Sequence, residues 1–488
     1  MRNNKENILS VIICLALGFL FCLKFSLSTS PAYGPSLLSH DAAIFYIIGK
    51  FWSQGVVPYL ELWDHKGPMI FFVNLLGYRL TGSTLGVFII QCFSLSVSIF
   101  FVYRIFRLRF ASVSSWLFSI VSILWLACSY EGGDLTEEYL LPYLTAAFYL
   151  IAKWIDKYEQ SPCDHNPWNA FLLGFVLAFS FLTRLTNALG ACGAMLAIGL
   201  VLLKDQRWNN LFQNILAFIG GFLVLAVPFV VYFYSQGALN EFLFGSFIYN
   251  VSNMNATSGG FSNQYWLRNI VPFSIMAISC LGLFFVSIYM FFSNPKHRVG
   301  AFVWLLATFF LGTWLFRSSL MSHYRTVALP FFPILVLELY KLDRWFHPVL
   351  RALVLSLLVF GPIFITVRKW SSFVDYFDRP FAVELAQQVK EDVPVESLPD
   401  LIVYGDPQMY LLLDIKPIYR NFSFPGTQGT KHEKLKEDIR REYSSCKADY
   451  VLVSGDSSMI QDILDSKYDL VKEYNYRGSY KLWKNKDM

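Results

Sequence analysis

Read as blocks of apolar and polar residues, the chain shows long apolar runs separated by short polar ones as far as residue 367, and a mixed pattern beyond it. A bilayer crossing takes about 20 predominantly apolar residues. About eleven segments meet that rule: 8–27, 84–103, 113–129, 139–155, 168–185, 188–203, 211–234, 270–292, 299–316, 327–340 and 349–367. Each is expected to be helical, because a helix satisfies its backbone hydrogen bonds within one segment when no water is at hand. The first is read as an anchor rather than a cleaved leader, since its run exceeds the about 7–15 apolar residues of a signal-peptide core.

Past residue 367, short β-branched and aromatic runs at Leu401–Tyr404 and Tyr450–Ser454 read as strands, with helical patterns at 431–443 and 457–466. The pattern therefore predicts an all-α polytopic membrane domain over 1–367, with outer loops at 28–83 and 130–138, followed by a small soluble α/β domain over 368–488. Neither a phosphate-binding glycine loop nor a nucleophile elbow occurs in that second domain.

Composition agrees. Of 488 residues 55% are hydrophobic and 15% charged, where soluble domains carry about 25% charged, and about half of the charged side chains lie from Arg368 onward. A single soluble globule is excluded. The net charge of +5 is small and forms no continuous basic face, which argues against a nucleic-acid partner. The 8 cysteines show no metal-ligand or redox spacing, so neither a disulfide framework nor a zinc site is expected.

Lys and Arg gather on the cytoplasmic side of membrane proteins. Arg2, Lys5, Arg104, Arg107, Arg109, Lys153, Lys157, Lys204, Arg207, Lys296, Arg298, Lys341, Arg344 and Arg351 all fall in one alternate set of loops. That set is read as cytoplasmic, which puts the N-terminus inside and the C-terminal domain outside a bacterial inner (plasma) membrane.

The opposite loops hold the unusual chemistry. The first contains Ser39-His40-Asp41, an apolar stretch 42–52, and Trp63-Asp64-His65-Lys66-Gly67-Pro68 ahead of a second apolar stretch 69–80. The first stretch is too short to span and reads as a helix lying in the bilayer interface, and the second reads as another such helix or as the entry into the next span. They would hold Asp41, Asp64, His65 and Lys66 in a partly dehydrated place, where a carboxylate can act as a base and a lysine can bind phosphate. Asp41 also stands where a helix N-cap is expected. The next outer loop, Glu131-Gly132-Gly133-Asp134-Leu135-Thr136-Glu137-Glu138, packs four carboxylates into eight residues. Their repulsion calls for a cation, either a divalent metal or a basic group such as Lys66. Arg184, Asn187, Arg317, His323, Tyr324 and Arg325 face the same side, a set suited to an anionic ligand such as a phosphate. Arg268 is left as an interfacial anchor. The outer loop 235–269, with its Gly259-Gly260 pair, is polar and suited to covering a site. Asn250, Asn255 and Asn421 match the N-glycosylation acceptor pattern.

On these residues the chain resembles the GT-C class of membrane glycosyltransferases, the superfold of protein O-mannosyltransferases and the aminoarabinose transferase of lipid A. The motifs lie mainly at 39–68 and 131–142. The resemblance implies a catalytic aspartate in the first outer loop, matched by Asp41, and a second acidic motif in the next, matched by Glu137 and Glu138. It implies a donor-phosphate motif similar to Asp64-His65-Lys66-Gly67-Pro68, where His65 is inserted and Gly67 replaces proline. Lys66, Arg184, Arg317, His323 and Tyr324 would bind the donor phosphate, Asp64, His65 and Asp134 would support them, and Asp41 and Glu138 would hold any divalent metal (Mg, Mn or Zn). The implied reaction is sugar transfer, with inversion, from a polyprenyl-phosphate-linked donor to an acceptor hydroxyl at the outer face of the lipid bilayer. The competing reading is a transporter or flippase of lipid-linked sugars, which would place ionisable groups at the bilayer midplane. Here the spans are nearly charge-free in the middle.

Overall fold

The computed structural model describes residues 2–33, 39–253, 279–317, 322–342, 379–476 and 478–487, together with scattered residues between 353 and 367. The chain forms two compact units. Unit 1 comprises residues 1–26, 89–229 and 261–373, and unit 2 comprises residues 27–88, 230–260 and 374–488.

The apolar runs become helices with bounds close to those the pattern predicts: α1 (Arg2–Phe25), α2 (His40–Trp52), α3 (Pro68–Thr81), α4 (Thr84–Phe106), α5 (Ser112–Ser129), α6 (Thr136–Gln160), α7 (Pro167–Phe181), α8 (Leu189–Lys204) and α9 (Trp208–Ser235). Among the described residues six helices are long and apolar enough to cross a membrane, and Pro167–Phe181 and Ser279–Ser293 are shorter apolar helices. The protein is a membrane protein, mostly helical, with a small C-terminal sheet. One expected span differs in form. The segment expected over 327–340 is split, with a 3₁₀ stretch Ser322–Ala328 leading into the helix Phe331–Lys341. The segment 349–367 lies largely outside the described residues.

Within unit 1 the basic loops of the predicted cytoplasmic set meet one another. Arg109 pairs with Asp156, Arg107 with Glu6 at 3.3 Å, and Arg207 with Asp164 at 2.5 Å. His297 and Lys341 converge on the buried Glu159 at 2.7 and 3.4 Å. Loops that touch lie at one end of the helices, as alternate loops of a multi-pass chain must.

In unit 2, α2 and α3 pack closely. Gly49 lies so near α3 that a Cβ there would come within 2.6 Å of the Asn74 Cβ, and Tyr46 meets Tyr78 edge to face at 6.1 Å. Residues 42–49, 51 and 52 are all buried. This corrects the expectation of a helix lying in the interface: α2 is apolar on every side because protein covers it. Strands β1 (Leu401–Tyr404), β2 (Tyr450–Ser454), β3 (Tyr468–Tyr476) and β4 (Gly478–Asn485) form a sheet in the order β1-β2-β4-β3. β1 and β2 pair in parallel, Leu401 opposite Tyr450, and both are buried along their length as parallel strands require. The helix Glu433–Ser444 covers them with Leu435, Ile439 and Tyr443 at four-residue spacing.

Candidate active site

In unit 2, Ser39 caps α2: its hydroxyl accepts from the Ala42 N–H at 3.4 Å, and its own N–H donates to Ser28 Oγ at 3.1 Å. Ser39, not Asp41, is therefore the cap. Asp41 stands in the first turn, half-buried, and its carboxylate has no hydrogen-bond or ion-pair partner among the described residues. Next to it, His40 stacks on Phe424 at 5.6 Å.

The motif at 63–68 is held in place from the C-terminal part of the same unit. The Trp63 N–H donates to the Arg420 carbonyl at 2.9 Å, while the Arg420 Nε donates to the Tyr59 carbonyl at 2.8 Å. Asp64 is 2% exposed. Its Oδ1 accepts from the Lys66 N–H at 2.9 Å, and its Oδ2 accepts from Ser423 Oγ at 3.0 Å and Gln428 Nε2 at 3.3 Å. Burial alone would raise its pKa, but the charge and side-chain contact of His65, the charge of Lys66 and the Lys66 N–H overcome it and lower the value to about 2. Asn250 Nδ2 donates to the His65 carbonyl at 2.7 Å, and the Tyr59 hydroxyl donates to the Lys66 carbonyl at 2.7 Å. The backbone of 64–66 is thereby fixed. Lys66 Nζ meets only the His65 ring, at 3.3 Å, and has no carboxylate partner among the described residues. Its charge is available to an anion. Gly67 and Pro68 then start α3, Pro68 at the first helical position, where its missing N–H costs nothing.

In unit 1, Gly132, Gly133 and Asp134 take positive φ in succession. The turn this makes aims the four carboxylates in different directions. Glu138 Oε1 accepts from Gln91 Nε2 at 2.5 Å and from the Asp134 N–H at 3.1 Å, and Asp134 Oδ1 accepts from the Tyr139 hydroxyl at 2.8 Å. These two carboxylates hold the loop. The other two meet cations: Glu137 Oε1 lies 3.3 Å from Arg184 Nη1, and Glu131 Oε2 lies 2.5 Å from His323 Nδ1. The Arg184 guanidinium also lies over the Tyr324 ring at 3.4 Å and near Trp314 at 5.5 Å. For His323, burial disfavours the imidazolium, but the bond to Glu131 and the charge of Glu137 outweigh it and raise the pKa above 6.5. The side chain of Arg317 lies outside the described residues.

The structure thus brings Glu131, Glu137, Arg184, His323 and Tyr324 together in unit 1, with Asp134 and Glu138 behind them, and groups Asp64, His65 and Lys66 in unit 2. Among the described residues no three His, Cys, Asp or Glu side chains are grouped to hold a metal ion. Glu138 Oε1 is taken by two N–H donors. Gln91, Ser423, Gln428 and Arg420 carry no local motif, and only the fold reveals their part. The acceptor pattern at Asn421 is unavailable to a glycan in the folded chain. The residue is 1% exposed and its Nδ2 donates to Glu442 Oε2 at 3.1 Å.

The fold is similar to that of ArnT from Cupriavidus metallidurans, solved bound to undecaprenyl phosphate, with a TM-score of 0.59 and 13% identity over 98% of each chain. It is also similar to the Archaeoglobus fulgidus oligosaccharyltransferase in the apo form, with a TM-score of 0.50 and 12% identity over 97% of this chain and 74% of the other. At such identities the likeness is one of fold, and that fold is GT-C-like. No curated protein matches the sequence. The model of the competence-induced protein Ccs4 N-terminal domain matches residues 7–347, well over half of the chain, and the chain belongs to that family.

Proposed function

We propose that the protein is an integral-membrane glycosyltransferase that moves a sugar from a polyprenyl-phosphate-linked donor to an acceptor hydroxyl at the outer face of the membrane, with inversion at the anomeric carbon. The observation that carries this reading is Asp41: a carboxylate at the start of a buried helix, capped by another residue and left without a partner among the described residues. Carboxylates in such surroundings are normally paired. One that is not is suited to taking up a proton.

In this mechanism the acceptor oxygen attacks the anomeric carbon from the face opposite the phosphate. As that bond forms, the bond from carbon to phosphate oxygen breaks, Asp41 takes the hydroxyl proton, and the lipid phosphate leaves as an anion. In unit 2 the proposed partner of an anionic phosphate is Lys66, as a point charge; in unit 1 the proposed phosphate-binding groups are Arg184, as a fork of N–H donors, and His323. Glu137 keeps Arg184 oriented, and Glu131 keeps His323 protonated. Asp64, Asp134 and Glu138 fix the backbone that carries these groups.

The test is transfer of radiolabelled sugar from polyprenyl-phosphate donors in liposomes, comparing the wild type with Asp41→Asn. Label passing to a new product only with the wild type supports the reading. Labelled lipid crossing the bilayer, with no transfer by either protein, would replace it with a flippase.

A further inference from the structure

Unit 2 also carries a groove, lined in part by Arg420, Asn421 and Glu442. One part, of about 700 Å³, runs along Lys416–Asn421 and the outer side of the helix Glu433–Ser444, with Lys447 at its end and Glu61 on its rim. A second part, of about 340 Å³, shares Arg420 and Asp438 with the first and is walled by Leu243, Phe244, Ile248 and Leu435. Phe244 opens a π-helical turn, Phe244–Ile248, a rare backbone form that often marks functional sites.

The charges of the groove are not balanced. Three of its four acids are already engaged: Glu442 accepts from the Arg420 N–H at 3.1 Å and from the Asn421 backbone and side-chain nitrogens, Glu61 accepts from the Val57 N–H at 2.8 Å, and Asp438 pairs with Arg441 at 3.3 Å, while Glu241 lines the second part. Lys416 and Lys447 are exposed and have no carboxylate partner among the described residues. Asn421 lines the groove at 1% exposure, and its Oδ1 has no hydrogen-bond partner among the described residues. A buried amide oxygen without a donor is unusual, and it suits the hydroxyl of a ligand. The partly exposed Phe244 ring, with Lys434 Nζ 5.9 Å from its centroid, offers an apolar face beside a cation.

Together these are the features that recognise a sugar chain bearing negative charge: cations for its carboxylates or phosphates, a lone acceptor for a hydroxyl, and an aromatic plate for a ring face. We propose that this groove binds an anionic oligosaccharide. Resting on the transferase reading for its role, it holds the acceptor side of the reaction.

The test uses the full chain in nanodiscs of zwitterionic lipid and fluorescently labelled tetragalacturonate, followed by anisotropy. Binding is expected to weaken about tenfold in Lys416→Glu/Lys447→Glu, as expected for two rim charges. It should stay unchanged in Lys390→Glu/Lys467→Glu, which reverses two exposed lysines outside the groove. Lys416→Ala/Lys447→Ala should give a smaller loss at an unchanged melting temperature. Maltotetraose should compete at least tenfold less well. Unaltered binding in the Lys416→Glu/Lys447→Glu variant, an equal loss in the control pair, or equal competition by maltotetraose or by an acidic peptide of the same charge would each overturn the proposal. Because binding is read without transfer, an inactive but binding protein would overturn the transferase reading alone, and an active one that fails these tests would overturn the groove alone.

Discussion

Asp64→Ala separates a side chain that builds the site from one that binds substrate. Asp64 is 2% exposed and accepts three hydrogen bonds, from the Lys66 N–H, Ser423 Oγ and Gln428 Nε2. Removing the carboxylate strands those donors and cuts the tie between the 63–66 turn and the segment 423–428. Hydrogen bonds to a charged acceptor contribute about 1.5–3 kcal/mol each, less what relaxation and water recover. The proton equilibrium gives a figure of the same size: a pKa lowered from 3.8 to about 2 corresponds to about 2.5 kcal/mol of native-state stability at neutral pH. A loss of about 3 kcal/mol is therefore expected. For a body the size of unit 2 that lowers the melting temperature by about 6–12 °C. Tryptophan fluorescence during heating in detergent reads the change, with Trp63, fully buried beside the site, as a local reporter. The sign is fixed by the direction of the shift. A lowered pKa stabilises above 3.8 and ceases to do so as pH falls through about 2, so the gap between wild type and variant should be constant from neutral pH to about 5 and close only in strong acid. A wild-type melting temperature together with a raised donor KM would refute the structural role and make Asp64 a phosphate ligand.

Asp41→Asn should lower transfer by about 100- to 10,000-fold, the usual worth of a general base, while thermal melting stays unchanged because Asp41 bonds nothing among the described residues. Lys66→Ala should raise the donor KM by about 10- to 100-fold, the loss of one charge-assisted contact, with the acceptor KM unmoved; steady-state titration of each substrate checks it. A raised pKa keeps His323 protonated through 6.5 and lets it go as pH rises further. The kcat/KM for donor should therefore fall on the alkaline side, and His323→Gln should remove that limb from the pH profile.

Much of the fold is legible because membrane helices announce themselves by composition alone. The apolar runs 84–103 and 113–129 become Thr84–Phe106 and Ser112–Ser129. In the soluble part, Leu401–Tyr404 and Tyr450–Ser454 are readable because parallel strands are apolar throughout. The hairpin of β3 and β4 escaped because Tyr468–Tyr476 alternates apolar with charged residues, as a half-exposed strand does, and so lacks a continuous run. The surroundings of α2 are not legible for a related reason: an apolar helix of 13 residues looks the same whether lipid headgroups or protein cover it. Gln91, Ser423 and Gln428 were invisible because an amide or hydroxyl that serves a carboxylate 47, 359 or 364 positions away leaves no local pattern.

The acidic loop shows how far spacing can lead and where geometry must take over. Four carboxylates in eight residues imply repulsion, and sequence alone leaves a metal ion and a basic side chain as equal remedies. In the folded chain the turn at Gly132–Asp134 divides them instead. A side chain at Gly133 would collide with Gln91 Nε2 at 2.7 Å, Ser26 Oγ at 2.9 Å and the Tyr130 hydroxyl at 2.9 Å, so only glycine lets the loop sit against this polar cluster. Asp134 and Glu138 then satisfy neighbouring N–H and O–H donors, and Glu131 and Glu137 are released toward His323 and Arg184. The two cations are thus held by carboxylates rather than consumed by them. Arg184 commits one of its five N–H donors to Glu137 and stays 20% exposed, which leaves donors for an incoming anion. An acidic loop of this kind is a scaffold for positive charge, and its carboxylates matter to a phosphate through the cations they orient.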